Sequence, residues 1–218
     1  PAHAACLNIG RPELMCRGVE TPAELRPWLQ QGNVMAAGPG LGRDEWGRGL
    51  FQAALDSGLP LVVDADGLNL LCERPERRDD WILTPHPGEA ARLLGSSIAA
   101  VQQDRFTAVV QLQARYGGVV VLKGAGTLIQ EGSSRPVARC SAGHPGMASG
   151  GSGDWLTGIR ASLLAQGFNG GEAAELGVSL HAAAGDRAAQ QGERGMLAGD
   201  ILPQLRPLLN RRWSDVGD

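Results

Sequence analysis

Short runs of Val, Ile, Leu and Ala recur along this chain, and most of them lead into a turn-forming loop and then a helical pattern. The runs at residues 34–37, 61–63, 81–83 and 119–122 carry no charged residue, which predicts strands buried on both faces. Helical patterns follow the first three runs, and strands that alternate with helices favour a mainly parallel sheet covered by helices on both sides. The sequence therefore predicts a three-layer α/β/α domain.

Other elements are predicted from spacing. A helix is expected over about residues 44–56, a longer one over about 101–116, and an antiparallel strand at 127–130 beside 119–122. The apolar face predicted for the longer helix includes Phe106, Val109, Val110 and Leu112. From Gly153 to about Asn210 the chain is expected to be almost wholly helical and to cap the sheet.

Four loops after the predicted strands have unusual compositions. They read GPGLG at 38–42, DADGLN at 64–69, TPHPGE at 84–89 and KGAG at 123–126. Right-handed crossovers between parallel strands place such loops at one edge of the sheet. We therefore predict a single site at that edge.

Composition excludes several classes of protein. The formal net charge is −3 and no long basic run is present, which argues against nucleic-acid binding. The longest apolar runs are far shorter than the ~20 residues of a membrane span. Four widely spaced cysteines without a metal-binding pattern predict reduced thiols in a cytoplasmic protein. No linker or repeat divides the chain, so one domain is expected over residues 1–218, with a frayed tail at 211–218.

A glycine-rich turn formed by Gly150, Gly151, Ser152 and Gly153 precedes Asp154 and a predicted helix at 155–166. Glycines bring backbone N–H groups close to a ligand, and the helix N-terminus adds a positive dipole, which predicts an anion site. Asp154 suits a general base that takes a proton from a hydroxyl attacking a bound phosphate. The alternative is that Asp154 is only the N-cap of the helix.

This turn is not a Walker A motif, because no Gly-Lys-Ser/Thr follows it, and GPGLG does not match GxGxxG. It resembles instead the anion-hole motif of ribokinase-like kinases. Together GPGLG, DADGLNLL, TPHPGEAARLLG, VVVLKGAGTLI and GMASGGSGDWLTGIRASLLAQG resemble the successive motifs of ADP-dependent NAD(P)H-hydrate dehydratases, in that family's order, from Arg11 to Ala198. The resemblance implies a ribokinase-like fold.

The sequence departs from the family pattern at a few positions. His144 stands where the family usually has Asn, and Pro145 and Gly67 stand where it usually has Ala. The family's domain also begins with a Gly-rich strand and an Ala-rich helix that have no counterpart here. We therefore expect a domain that is N-terminally truncated relative to the family.

The resemblance implies roles for individual residues. Substrate contacts are implied for Gly40, His86 and Asp154, with Asp154 also catalytic. The implied nucleotide contacts are Lys123, Gly124, Ala125, Gly126, Thr127 and Gly153. The implied anion hole is the turn of Gly150, Gly151, Ser152 and Gly153. Glu89 corresponds in place to the acidic residue that, in related kinases, organises the water shell around magnesium and phosphate.

Several of these residues have a plainer interpretation. Lys123 is equally a candidate for a solvated lysine at a strand end, and His86, between two prolines, for a rigid turn residue. Glu89 also suits the first turn of its helix electrostatically. Asp64 and Asp66 look like paired carboxylates, although a strand-end Asp that ties down a loop is the preferred interpretation.

The function implied by the resemblance is ADP-dependent dehydration of hydrated NADH or NADPH to NAD(P)H, with release of AMP and phosphate. It implies Mg²⁺, ADP or ATP as the phosphoryl donor, a homo-oligomer, and a fusion to an N-terminal NAD(P)H-hydrate epimerase domain in the intact protein. Two alternatives stay open: a small-molecule kinase of the same superfamily, and an inactive nucleotide-binding module.

Overall fold

A computed structural model describes residues 4–7 and 9–210, so the predicted frayed tail at 211–218 lies outside the described residues. Its six-stranded sheet has the order β1 to β6, with β1 to β4 parallel and β5 and β6 antiparallel to their neighbours. The strands are β1 Met35–Ala37, β2 Leu61–Val63, β3 Trp81–Leu83, β4 Val119–Leu122, β5 Thr127–Glu131 and β6 Ala138–Cys140. The mainly parallel sheet is therefore confirmed.

Helices connect and cover these strands. They are α1 Ala4–Leu7, α2 Pro22–Leu29, α3 Glu45–Leu55, α4 Ala65–Glu73, α5 Pro87–Leu94, α6 Ile98–Gln103, α7 Arg105–Tyr116, α8 Ser152–Ala165, α9 Gly170–Ala189 and α10 Ala198–Leu209, with a 3₁₀ turn at Pro145–Met147. A bilayer span would need a longer and more apolar helix than any in the described part of the chain.

The two faces of the sheet bury different residues, because successive side chains of a strand point to opposite sides. Leu61, Val63, Leu83, Val120 and Leu122 pack against the helices that connect the parallel strands. Val62, Ile82, Val119 and Val121 pack against α8 and α9. A third apolar cluster joins α9 to α10. The helices on both faces give the three-layer α/β/α architecture that the sequence predicts.

The prediction of one long helix over residues 101–116 is wrong in two respects. The structure has two helices, which meet at Asp104, where a side-chain oxygen accepts the N–H of Thr107 at 2.9 Å and caps α7. This local cap competes successfully with a continuous helix. Of the predicted apolar face, Val109 and Leu112 are buried, whereas Phe106 and Val110 are 50% and 43% exposed. Tyr116, which was not predicted, joins the buried side of α7.

Candidate active site

One large cavity of about 630 Å³ lies at the carboxyl edge of the sheet. It is bounded by the ends of β3 and β4, the β4–β5 turn, the loop after β6 and the start of α8. Predicted site residues that line it are His86, Lys123, Gly124, Ala125, Gly126, Thr127, Ser152 and Gly153. Apolar side chains, among them Met147, Leu156, Val178 and Ala182, form much of the remaining wall. The cavity has the size of a small-molecule site.

Other predicted site residues lie outside the cavity lining. Gly40 is in the loop after β1, has a φ of +65°, and has open space where a side chain would stand. Gly150, Gly151 and Glu89 do not line the cavity. Asp154 is exposed and immediately follows the lining residue Gly153. The structure thus gathers the predicted nucleotide contacts and His86 in one place and puts Asp154 beside them.

The turn before α8 has a backbone N–H that bonds no residue in the described part of the chain. Gly151 adopts a left-handed conformation, with a φ of +87°, and is the N-cap of α8, but it provides no side-chain cap. The described part of the chain offers no hydrogen-bond acceptor to the N–H of Gly153. The first N–H groups of a helix need such an acceptor, and a bound anion supplies one. The turn therefore has the chemistry of an anion site.

The structure contradicts the N-cap interpretation of Asp154. Gly151 holds the cap position, and Asp154 is the third residue of the helix. Its backbone N–H donates to the carbonyl of Gly151 at 3.1 Å, whereas its carboxylate forms no hydrogen bond or ion pair with any residue that the structure describes. The carboxylate is therefore available to accept a proton, and its role as the base stays a prediction.

Lys123 follows the end of β4, where two carboxylates hold its ammonium, so it is not a solvated lysine. Its Nζ lies 2.6 Å from Oδ1 of Asp64 and 4.0 Å from Oε2 of Glu89. Asp64 is 2% exposed and caps α4 through the N–H of Ala65 at 2.8 Å, which confirms that it ties down its loop. Asp64 also accepts the hydroxyl proton of Thr157 in α8 at 2.8 Å, so it links β2, β4 and α8.

The ammonium of Lys123 faces the turn before α8. A Cβ atom built on Gly153 would lie 3.5 Å from that nitrogen and 3.6 Å from Oδ2 of Asp64. The site therefore combines a cation with the unused N–H of Gly153. Both favour a negatively charged group in the cavity.

The β4–β5 turn is braced from outside the cavity. Arg105 of α7 donates to the carbonyls of Leu122 at 3.2 Å and Lys123 at 3.3 Å, and it also bonds Ala125. Gly124 and Gly126 have positive φ values of 139° and 68°, which residues other than glycine rarely adopt. The Thr127 hydroxyl donates to the carbonyl of Gly124 at 3.1 Å, so it stabilises the turn itself.

His86 and Glu89 form a capping box at the start of α5. Nδ1 of His86 accepts the N–H of Gly88 at 2.9 Å, and Oε2 of Glu89 accepts the N–H of His86 at 2.8 Å. Burial lowers the pKa of His86, and the charges of Lys123 and Arg92 lower it further. Burial raises the pKa of Glu89, an effect that the nearby Lys123 opposes. The imidazole is therefore neutral at pH 7, as its role as a hydrogen-bond acceptor requires.

Glu89 fits an indirect contact with a metal ion better than a direct one. One of its oxygens already accepts the His86 N–H, and the other lies 3.4 Å from Nε2 of His86. Within residues 4–7 and 9–210, no cluster of three His, Cys, Asp or Glu side chains could hold a metal ion. Mg²⁺ usually keeps several waters and takes other ligands from phosphates. A contact through water suits this carboxylate, and its role stays a prediction.

Sequence reasoning missed several buried polar residues around the site. Thr157 and Arg160 lie one turn apart on α8, and His181 lies on the neighbouring helix α9. The spacing of Thr157 and Arg160 places both on one side of α8, but no local signal indicates that this side is buried.

Arg160 is the most unusual of these residues. Its side chain is completely buried, and Nε, Nη1 and Nη2 have no hydrogen-bond partner among the described residues. Burial lowers the pKa of Arg160 to about 9, and the carboxylate of Asp64 opposes that shift. The guanidinium is therefore still charged at pH 7, in a place where charge is costly.

Replacing Arg160 with Leu is expected to stabilise the protein by about 1–4 kcal/mol, because an apolar side chain of similar volume removes a buried charge that has no hydrogen-bond partner among the described residues. Urea denaturation followed by circular dichroism measures the effect. The matched control is Arg206→Leu at an exposed position of α10, where a change within about 0.5 kcal/mol is expected. A marked destabilisation by Arg160→Leu would mean that the guanidinium has a partner in the protein.

Comparison with known proteins identifies relatives of this chain. The family described as NAD(P)H-hydrate dehydratase matches residues 2–207. The bifunctional NAD(P)H-hydrate repair enzyme Nnr of Coxiella burnetii is 52% identical over 211 residues, which are 96% of this chain and 43% of that protein. The ADP-dependent (S)-NAD(P)H-hydrate dehydratase of Neisseria meningitidis is 42% identical over 93% of this chain and 70% of that protein. The chain thus spans less than half the length of the bifunctional relative.

Solved structures agree with the fold. A ribokinase-like superfamily protein of Enterococcus faecalis has a TM-score of 0.83 and 27% identity, and the match covers 94% of this chain and 72% of that one. The ADP/ATP-dependent NAD(P)H-hydrate dehydratase of Bacillus subtilis, co-crystallized with ATP/Mg²⁺, has a TM-score of 0.71 and 27% identity over 81% of this chain and 64% of that one. The fold is therefore ribokinase-like, and the chain belongs to the NAD(P)H-hydrate dehydratase family.

Proposed function

We propose that this chain dehydrates hydrated NADH and NADPH, with ADP as the phosphoryl donor. The observation that carries the proposal is a combination of three groups. The Gly153 N–H, which has no acceptor among the described residues, and the Lys123 ammonium lie at one cavity, and the exposed Asp154 carboxylate follows directly after Gly153. Anion-binding groups beside an unpaired base are what transfer of a phosphoryl group to a hydroxyl requires. The name of the Neisseria relative supports ADP as the nucleotide. We also propose that residues 1–218 form one domain.

The chemistry explains why a lyase would use a kinase-like site. Hydroxide is a poor leaving group, so direct loss of water from the hydrated ring is slow at neutral pH. Transfer of the terminal phosphoryl group of ADP to the ring hydroxyl breaks a P–O bond of ADP, forms a new P–O bond and releases AMP. Phosphate then leaves with the electrons of the C–O bond as the ring nitrogen donates its lone pair, and loss of a ring proton regenerates NAD(P)H.

Each proposed residue has a task that its position permits. Asp154 takes the proton of the attacking hydroxyl, and the N–H groups of the Gly150–Gly153 turn stabilise the charge on the phosphoryl group. Lys123 and the β4–β5 turn hold the phosphates of the nucleotide, while His86 and Gly40 contact the hydrated nicotinamide nucleotide. Mg²⁺, when bound near Glu89 through water, would offset the charge of the phosphates.

A comparison of substrates tests the proposed function. The purified protein is incubated with ADP or ATP and Mg²⁺, and separately with hydrated NADH, a hydroxymethyl pyrimidine and a hydroxyethyl thiazole. We expect NADH from the first substrate and no phosphorylated pyrimidine or thiazole. A phosphorylated alcohol as the stable product would instead support the kinase alternative, and nucleotide binding without turnover would support the inactive module.

Saturating ADP is expected to stabilise the protein. At a concentration of 100 times the dissociation constant, ADP should add about 2.7 kcal/mol to the free energy of unfolding, because it binds only the folded state. Free adenine is the matched control and should give a much smaller effect, since the proposed contacts are mainly with the phosphates. Thermal denaturation with increasing ADP measures this, and an unchanged midpoint would count against an intact nucleotide site.

A further inference from the structure

Ser152 and His181 form a buried pair beside the anion site. Ser152 is the first residue of α8, and its Oγ lies 3.3 Å from Nε2 of His181, in the middle of α9. Both residues are 7% exposed, and both line the cavity. The proposed function uses Ser152 only through the backbone of its turn, and it gives His181 no role. A polar pair placed at the wall of a charged site therefore needs an explanation.

The protonation state of the imidazole limits what the pair can do. Burial lowers the pKa of His181 to about 4, and the nearby charge of Arg160 contributes to this shift. At pH 7 the ring is therefore neutral, with one N–H and one acceptor nitrogen. Nε2 either donates to the Ser152 hydroxyl or accepts from it, and the two arrangements leave that hydroxyl with opposite properties.

We propose that His181 is a positioning residue that directs the Ser152 hydroxyl as a hydrogen-bond donor toward the phosphoryl group of the nucleotide. When Nε2–H donates to Oγ, the hydroxyl proton is left to point into the cavity, where it adds a side-chain donor to the free N–H of Gly153. The opposite arrangement would turn the lone pairs of Oγ toward an anion, which is unfavourable. This inference rests on the proposed nucleotide site.

A double-mutant cycle separates this role from simple packing. The variants are Ser152→Ala, His181→Met and their combination. Met puts an apolar side chain of similar size in place of the imidazole. The readouts are the dissociation constant of ADP by calorimetry and the rate of NADH formation. Ser152→Ala is expected to weaken ADP binding about 10- to 100-fold, the effect of losing a hydrogen bond to a charged group. If His181 acts through Ser152, the double variant should bind ADP no more weakly than Ser152→Ala alone.

The conservative variant His181→Gln provides a readout that packing would not restore. The amide nitrogen of Gln can take the place of Nε2 and donate to Ser152, so ADP binding should return to within roughly threefold of wild type. Thermal denaturation checks that every variant is folded. The inference would be overturned if the reductions in ADP affinity of the two single variants multiply in the double variant. Wild-type ADP affinity in Ser152→Ala would overturn it as well.

The two readouts keep this inference distinct from the proposed function. Wild-type protein that forms NADH but shows independent effects of Ser152 and His181 would overturn the positioning role and leave the dehydratase proposal intact. Protein that binds ADP with the predicted coupling but never forms NADH would support the positioning role and overturn the proposed function.

Discussion

Replacing Asp154 with Asn is expected to lower the rate of NAD(P)H-hydrate dehydration about 100- to 10,000-fold, the usual contribution of a positioned general base. Asn keeps the shape of the side chain but cannot accept the proton of the ring hydroxyl. The Asp154 carboxylate is exposed and bonds to no residue that the structure describes, so stability should stay within about 0.5 kcal/mol of wild type. Steady-state rates of NADH formation and calorimetric ADP affinity measure the two effects.

The matched control is Asp79→Asn, because Asp79 is also an exposed carboxylate but precedes β3 at the opposite edge of the sheet. Its activity should equal that of wild type. ADP affinity should be unchanged in Asp154→Asn, or slightly higher, since one negative charge leaves the neighbourhood of the phosphates. Near-normal turnover by Asp154→Asn would show that another group removes the proton.

Replacing Asp64 with Ala is expected to destabilise the protein by about 3–5 kcal/mol, as removal of one partner from a buried ion pair does. The change leaves the mostly buried Lys123 without its 2.6 Å partner and the Thr157 hydroxyl without its acceptor. It also removes the carboxylate whose negative charge favours the charged form of the buried Arg160. Denaturation in urea gives the free energy of unfolding directly.

ADP affinity should fall in Asp64→Ala as well, because Lys123 is no longer fixed beside Gly153. Asp79→Ala, whose side chain is 79% exposed, is the control for loss of a carboxylate at the surface and should change stability by no more than about 0.5 kcal/mol. Equal stabilities of Asp64→Ala and Asp79→Ala would mean that Asp64 does not hold β2, β4 and α8 together.

Much of the fold could be predicted because its signals are local. Apolar runs bounded by turn residues gave β2, β3 and β4 with their observed bounds, and β1 and β5 within one residue. The strand β6 was missed, since Ala138–Cys140 is short and its middle residue, Arg139, is exposed. The break at Asp104 was missed because a cap of one side chain outweighed a continuous helical pattern.

The candidate site was predictable only in part for a related reason. The turns at 123–127 and 150–153 could be identified because their glycines are consecutive or nearly so in the sequence. The contacts of Asp64 with Lys123 and Thr157 join residues 59 and 93 positions apart, and Ser152 meets His181 across 29. No local pattern indicates which distant side chains meet, so these networks required the structure.

The stoichiometry of the reaction tests the proposed function most directly. Hydrated NADH is incubated with the protein, ADP and Mg²⁺, and NADH, AMP and inorganic phosphate are each quantified over time, with Asp154→Asn as the control. Phosphoryl transfer followed by loss of phosphate predicts equal amounts of the three products from wild type and very little of any from the variant. Formation of AMP with a stable phosphorylated nucleotide and no NADH, or NADH formed without consumption of ADP, would contradict it.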